Sequence, residues 1–187
     1  MEVTQTKLPG VVLLEPRRFG DNRGHFSETW NAARMAEHGL EYDFVQDNQS
    51  LSAQAGTVRG LHFQTPPHAQ TKLVRCTRGA LFDVAVDIRE GSPTYGQWVG
   101  YELSAENGLQ LLIPAGFAHG FATYTDNTEI CYKCDDYYAP ECEGALRFDD
   151  PDLGIDWGLG ARVPVLSDKD AIAGAFKDFK TQFTFEG

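Results

Sequence analysis

Two histidines of this chain stand in settings where an imidazole could trade protons with a bound ligand. His62 lies in Arg59-Gly-Leu-His62-Phe-Gln64, and His119 follows the turn made by Pro114-Ala-Gly116. An unperturbed imidazole has a pKa of about 6.5, so it both accepts and returns a proton near neutrality. Arg59 and Lys72 are cations in a chain of formal charge −11, and a few well-placed positive groups in an acidic background make a local anion site. Each has a plainer alternative: a lone strand histidine is most often a hydrogen-bonded structural residue, and most basic side chains are solvated. Cys131 and Cys134 have the C-x-x-C spacing of zinc or redox sites. Glu129-Ile-Cys-Tyr-Lys-Cys reads as a strand, however, where positions three apart point to opposite faces, so Cys76, Cys131, Cys134 and Cys142 are expected to be reduced thiols.

The elements that must position these groups are mostly short strands. Phe82, Val84, Val86 and Ile88 alternate with Leu81, Asp83, Ala85 and Asp87, a period-2 pattern that marks a strand with one apolar face. Further strands are expected at Val11 to Pro16, Phe44 to Ser50, Thr57 to Gln64, Lys72 to Thr77, Gln97 to Leu103, Leu109 to Ile113, Phe121 to Thr125 and Glu129 to Asp135. Turn formers such as Arg78-Gly79 and Ser92-Pro93 separate them. Two helices are expected. One spans Ala32 to His38, with Asn31 as N-cap and Gly39 as stop. The other runs from about Asp168 to Asp178, with Ser167 as N-cap and Ile172, Phe176 and Phe179 as one apolar stripe. Phe26, Phe63 and Phe121 read as core, while His25, His38 and His68 show no partner pattern. Many short strands with helices only near the ends argue for an all-β jelly-roll sandwich or barrel, and 187 residues at 42% hydrophobic content suit a single domain, 1–187.

The acidic balance disfavours nucleic acid and membrane surfaces as partners. No run approaches the roughly 18 to 20 apolar residues of a membrane span, and the start of the chain lacks signal-peptide character. A cytoplasmic location is the expectation.

Gly108-Leu-Gln-Leu-Leu-Ile-Pro114-Ala-Gly116-Phe-Ala-His119 resembles the second motif of the cupin class, the double-stranded β-helix. Metal-binding cupins supply His-x-His and a glutamate in their first motif, because a divalent ion needs several converging N and O ligands. Here Gln64 stands at the place of the second histidine, so the metal site reads as dismantled. The resemblance then narrows. Gly20-Asp-Asn-Arg23-Gly-His-Phe-Ser-Glu28, Phe44-Val-Gln46-Asp47-Asn48, Arg59-Gly-Leu-His62-Phe-Gln, Lys72-Leu-Val-Arg-Cys, Phe82-Asp-Val-Ala-Val-Asp-Ile-Arg, Ile113-Pro-x-Gly-Phe-Ala-His119-Gly-Phe, Tyr132-Lys, Tyr137-Tyr138-x-Pro and Leu166-Ser-x-Lys169-Asp170 are similar to blocks of dTDP-4-dehydrorhamnose 3,5-epimerases. They occur in order over most of the chain.

That resemblance implies a substrate, dTDP-4-dehydro-6-deoxy-D-glucose, whose C3 and C5 flank a ketone. Each proton there can leave to give an enolate and return on the other face, which calls for a base, an acid opposite it and positive charge at the ketone oxygen, but no metal and no other cofactor. By resemblance His62 is the base, Asp170 fixes its tautomer, Tyr132 is the acid, Lys72 steadies the oxyanion and His119 helps at the ketone, with Asp83 inferred to hold His119. Asp170 can equally belong to a helix cap with Ser167, and Tyr132 can pack with Ile130 and Cys134 on its strand face. Arg23, Glu28, Gln46, Asp47, Asn48, Arg59, Glu143 and Lys169 are implied nucleotide-sugar contacts, and Tyr138 a stacking platform for thymine. The segment from Arg23 to Glu28 is implied to cross to the partner site of a homodimer. Arg59 and His62 are three apart and on an ideal strand face opposite ways; a bulge at Gly60 is the expected remedy. The rivals are a single-centre epimerase or keto-isomerase on the same scaffold, a metal-dependent oxygenase, and a non-catalytic sugar-nucleotide binder.

Overall fold

The computed structural model describes residues 1–186. The elements begin with β1 (Glu2–Gln5), β2 (Val12–Glu15), the hairpin strands β3 (Arg18–Asp21) and β4 (Gly24–Ser27), and helix α1 (Ala32–Ala36). The body follows as β5 (Gln46–Ser52), β6 (Val58–Gln64), β7 (Lys72–Arg78), β8 (Ala80–Asp87), β9 (Trp98–Ser104), β10 (Gln110–Ile113), β11 (Phe117–Thr123) and β12 (Thr128–Cys134). A short β13 (Glu143–Ala145) and helix α2 (Asp168–Ala171) come last. A six-stranded sheet, β1-β2-β10-β7-β12-β5, faces a five-stranded sheet, β13-β6-β11-β8-β9, and the β3–β4 hairpin stands apart as a two-stranded ribbon. The strand pairs within these sheets are antiparallel, giving the all-β cupin jelly roll. No helix among the described residues is long and apolar enough to cross a membrane.

Alternation along the strands divides the apolar residues among three cores. Val74, Leu81, Ala85, Leu111, Phe121 and Ile130 fill the space between the sheets. Val58, Leu61, Val84, Val86 and Ile88 project from the outer face of the five-stranded sheet onto Leu146, Leu153, Trp157 and Phe183 of the C-terminal segment. Met35 of α1 joins Val12, Leu73 and Leu112 on the outer face of the six-stranded sheet. Each leucine buried in this way contributes roughly 2 kcal/mol relative to an exposed one, so a polar side chain admitted to the same interior must be paired to be tolerated.

The structure corrects several local expectations. β8 has two buried faces rather than one: Val84, Val86 and Ile88 lie under the C-terminal segment, and Leu81 and Ala85 point between the sheets. The second helix covers only Asp168–Ala171, and a separate 3-10 turn forms at Phe176–Asp178. Ile172 is 84% exposed, so it forms no stripe with Phe176 and Phe179. The chain there leaves the helix to bridge Gly174 to Leu146. α1 ends at Ala36 rather than His38, with Asn31 capping it as expected. Phe26 is 69% exposed on the hairpin, whereas Phe63 and Phe121 are core. β11 begins at Phe117, upstream of the expected Phe121, which places His119 inside a strand. His68 does have a partner, Asp136, at 3.1 Å. β1, β3, β4 and β13, three or four residues each with no apolar run or alternating apolar side chains, leave no strand signal in the sequence.

Candidate active site

The interior between the sheets becomes polar toward one end. His62 and His119 are register partners on β6 and β11 of the five-stranded sheet. Against them stand Lys72 on β7 and Tyr132 on β12 of the six-stranded sheet. His62, Lys72 and Tyr132 line two cavities in common. One of about 210 Å³ adds Ser50, Arg59, His119 and Asp170; the other, of about 340 Å³, adds Gln46, Asn48, Tyr138 and Glu143.

Arg59 and His62 reach the same cavity because β6 is bulged. His119 pairs with His62 but Phe121 with Arg59, so two steps on β11 match three on β6. The strand's parity reverses there: Val58, Leu61 and Phe63 all face outward into the C-terminal core. Gly60 makes this possible. Its φ is +117°, and a Cβ at this position would lie 2.7 Å from both the Gly120 Cα and the His119 carbonyl oxygen.

Each histidine is held by a buried carboxylate. His62 Nε2 lies 2.6 Å from Asp170 Oδ1, and His119 Nε2 lies 2.8 Å from Asp83 Oδ1. With Nε2–H donating to the carboxylate, the Nδ1 lone pair of His62 is left free to accept a proton. Asp170 also takes up the alternative role expected for it: its N–H donates to Ser167 Oγ at 3.1 Å as a helix cap. The Ser167 hydroxyl in turn donates to Asp170 Oδ2 at 2.9 Å. Burial pulls the Asp170 carboxyl upward, but the His62 and Ser167 hydrogen bonds and the charge of His62 outweigh it and hold the group below 3.8. The carboxylate's stabilising contribution is therefore complete above pH 3.8 and is lost as pH falls through the lower folded-state value. Thermal melts should show Asp170→Asn less stable than wild type near neutrality, with the gap closing as the pH drops below 3.8. A gap independent of pH would contradict this arrangement.

On the opposing sheet, burial lowers the Lys72 ammonium below the usual lysine range, partly offset by the negative surroundings of Cys134, Asp83 and Glu143. Burial also raises the Tyr132 phenol, which keeps it protonated at neutral pH. Cys134 is buried beside them, its thiol pushed up to about 11, and all four cysteines are free thiols. Arg59 is steered by donating to Ser52 Oγ and the Leu51 carbonyl, each at 3.2 Å.

At the mouth, the Tyr138 hydroxyl donates to Glu143 Oε2 at 3.1 Å, and Lys169 forms an ion pair with Glu143. Gln46 and Asn48 alternate inward along β5, so Asp47 between them points to the outer face, where Lys133 pairs with it at 3.0 Å. Asp47 thus lies outside the cavity despite its place in the motif, a direct result of period-2 geometry. Arg23 and Glu28 line neither cavity: Arg23 pairs with Asp21 on the β3–β4 hairpin, and Glu28 with Arg34 at 2.8 Å.

The chain that builds this site resembles known proteins along most of its length. A family model described as dTDP-4-dehydrorhamnose 3,5-epimerase matches residues 5–178. The chain belongs to that epimerase family. The dTDP-4-dehydrorhamnose 3,5-epimerase of Sinorhizobium fredii is 54% identical over 175 residues, 94% of this chain and 89% of the relative. The solved structure of the Legionella pneumophila 3,5-epimerase in complex with dTDP-4-keto-L-rhamnose superimposes with a TM-score of 0.94 at 44% identity, covering 100% of this chain and 99% of that one. A 3'-monoepimerase from Streptomyces bikiniensis, in complex with dTDP-quinovose, superimposes with a TM-score of 0.85 at 35% identity, covering 91% and 85%. Within this epimerase framework, sequence reasoning missed Ser50, which the inward alternation of Gln46 and Asn48 along β5 already implies. It also read Gln64 only as a missing histidine.

Proposed function

We propose that this epimerase-family chain inverts C3 and C5 of dTDP-4-dehydro-6-deoxy-D-glucose, giving dTDP-4-dehydro-L-rhamnose. One observation carries the reading: the imidazole of His62 on one sheet and the phenol of Tyr132 on the other line a single cavity with Lys72. A sugar held between the sheets is then flanked by a base on one side and an acid on the other, as inversion requires. His62 removes the proton that the C4 ketone makes acidic, Asp170 steadies the imidazolium, and the negative charge gathering on the ketone oxygen is met by Lys72 and His119. Tyr132 returns a proton to the opposite face. Arg59, Gln46, Asn48, Glu143 and Lys169 hold the nucleotide sugar, with Tyr138 stacked on thymine.

The β3–β4 hairpin supplies the partner's site in a homodimer. It carries Arg23 away from its own cavity and leaves Phe19 52% and Phe26 69% exposed, apolar surface of the kind an interface covers.

The test is NMR of the dTDP-4-keto-6-deoxy sugar incubated in D₂O with the protein. Deuterium at both C3 and C5 with the L-rhamno product supports the double inversion. Deuterium at a single carbon would favour the single-centre alternative, which the structural likeness to a monoepimerase keeps in view. No exchange would leave a binding module.

A further inference from the structure

Gln64 is only 5% exposed and, two residues beyond His62, lines the larger cavity, yet its amide bonds to main chain rather than to the reacting groups. Its amide is taken up by main chain, at both neighbours of Tyr138 and at His68 in the loop after β6. Oε1 accepts from the Ala139 N–H at 2.9 Å, and Nε2 donates to the Tyr137 carbonyl at 3.2 Å and the His68 carbonyl at 2.6 Å. Two further glutamines hold the same turn. The Tyr138 N–H donates to Gln46 Oε1 at 3.0 Å, and Gln70 Nε2 donates to the Asp136 carbonyl at 2.9 Å. Residues 135–139 lie in no strand, so their peptide groups lack ladder partners and must find others. Three side-chain amides provide four of them, to the Asp136 and Tyr137 carbonyls and the Tyr138 and Ala139 N–H groups.

The ring these anchors present is 56% exposed. An exposed aromatic on an irregular turn would ordinarily sample many positions, and fixing it on binding would weaken the complex. We propose that Gln64 is a positioning residue for the nucleotide end of the site, locking the Tyr138 turn to the strand that carries His62 so that the aromatic platform is set before ligand arrives. This rests on the reading of Tyr138 as the surface on which the base stacks. Position 64, a metal ligand in metal-binding relatives of the fold, here sets the distance between the stacking platform and the base.

The test compares full-length wild type with Gln64→Met, Tyr138→Ala and the double variant, by calorimetric titration with dTDP and by steady-state kinetics. Gln64→Met keeps the side chain's length but removes one acceptor and two donors. It should weaken dTDP binding and raise KM about tenfold while kcat stays within about threefold. In a Tyr138→Ala background the same change should add little, because the two residues act as one unit. Unchanged dTDP affinity beside a weakened Tyr138→Ala, additive losses in the double variant, or a fall in kcat at constant KM would each overturn the proposal. Wild-type dTDP affinity in Tyr138→Ala would instead sink the stacking reading and this inference with it. Should Gln64→Met fail to fold, Gln70→Ala removes one anchor of the same turn from a half-buried position. A KM raised about threefold with kcat retained then supports the proposal, and an unchanged KM overturns it.

Discussion

Replacing His62 by alanine is expected to lower kcat by about 10³-fold or more while dTDP affinity stays within a few fold of wild type. His62 and His119 both tie Nε2 to a buried carboxylate, at 2.6 and 2.8 Å, but the His62 side chain stays 30% exposed to the cavity whereas that of His119 is only 8% exposed, so His62 is the imidazole whose free nitrogen a ligand can reach. No neighbour can take over: Tyr132 holds its proton more tightly than an ordinary phenol, and Glu143 is held below the usual carboxylate range, its burial outweighed by Lys169 and Tyr138, which makes it a poor base. Gln46, Asn48, Tyr138 and Glu143, proposed to hold the nucleotide sugar, line the second cavity and should be untouched. Deuterium should cease to enter either C3 or C5 with the variant. Exchange at either carbon at the wild-type rate would show that another group abstracts the proton.

Lys72→Met is expected to cut kcat by about 10²- to 10³-fold, the scale of losing one donor to a developing oxyanion. The same variant should be at least as thermally stable as wild type. Burial is the largest influence on the Lys72 ammonium and pushes its pKa down, which means the folded protein holds that charge at a cost. Methionine fills similar volume without the charge, so removing it relieves the fold even as it disables the site, the expected sign of a residue kept for activity. Melting curves and kcat measured on one preparation check both halves. A marked loss of stability with kcat intact would recast Lys72 as a structural partner of Asp83 and Cys134.

Much of the site was legible in linear order because strand chemistry is local. Period-2 alternation and turn residues located most body strands to within a few residues. Resemblance to the epimerase motifs singled out His62, Lys72, Tyr132, His119 and Asp170, and the structure brings those five to one cavity. Alternation also misled where tertiary packing overrides it. The apolar face of β8 belongs to the C-terminal segment, because chain far downstream folds over the outer sheet and makes both faces of β8 interior. Ile172 fits a helical stripe by spacing, but the bridge from Gly174 to Leu146 draws the chain out of the helix after one turn. Asp47 is the converse case: the resemblance placed it among the substrate contacts, and strand alternation itself turns it outward to Lys133.

The residue types, and hence the available chemistry of an imidazole, a phenol, an ammonium group and a carboxylate, are written in the chain itself, as are the strands that carry them. What the chain order does not contain is which face each one shows and which distant partner it meets. Asp170 reaches His62 across 108 residues. Arg59 joins the cavity only because an inserted residue at Gly60 reverses the strand's parity, and Gln64 finds its turn only once β6 and the segment after β12 are packed together. Such pairings depend on non-local contacts, and those exist only when the two sheets close on each other.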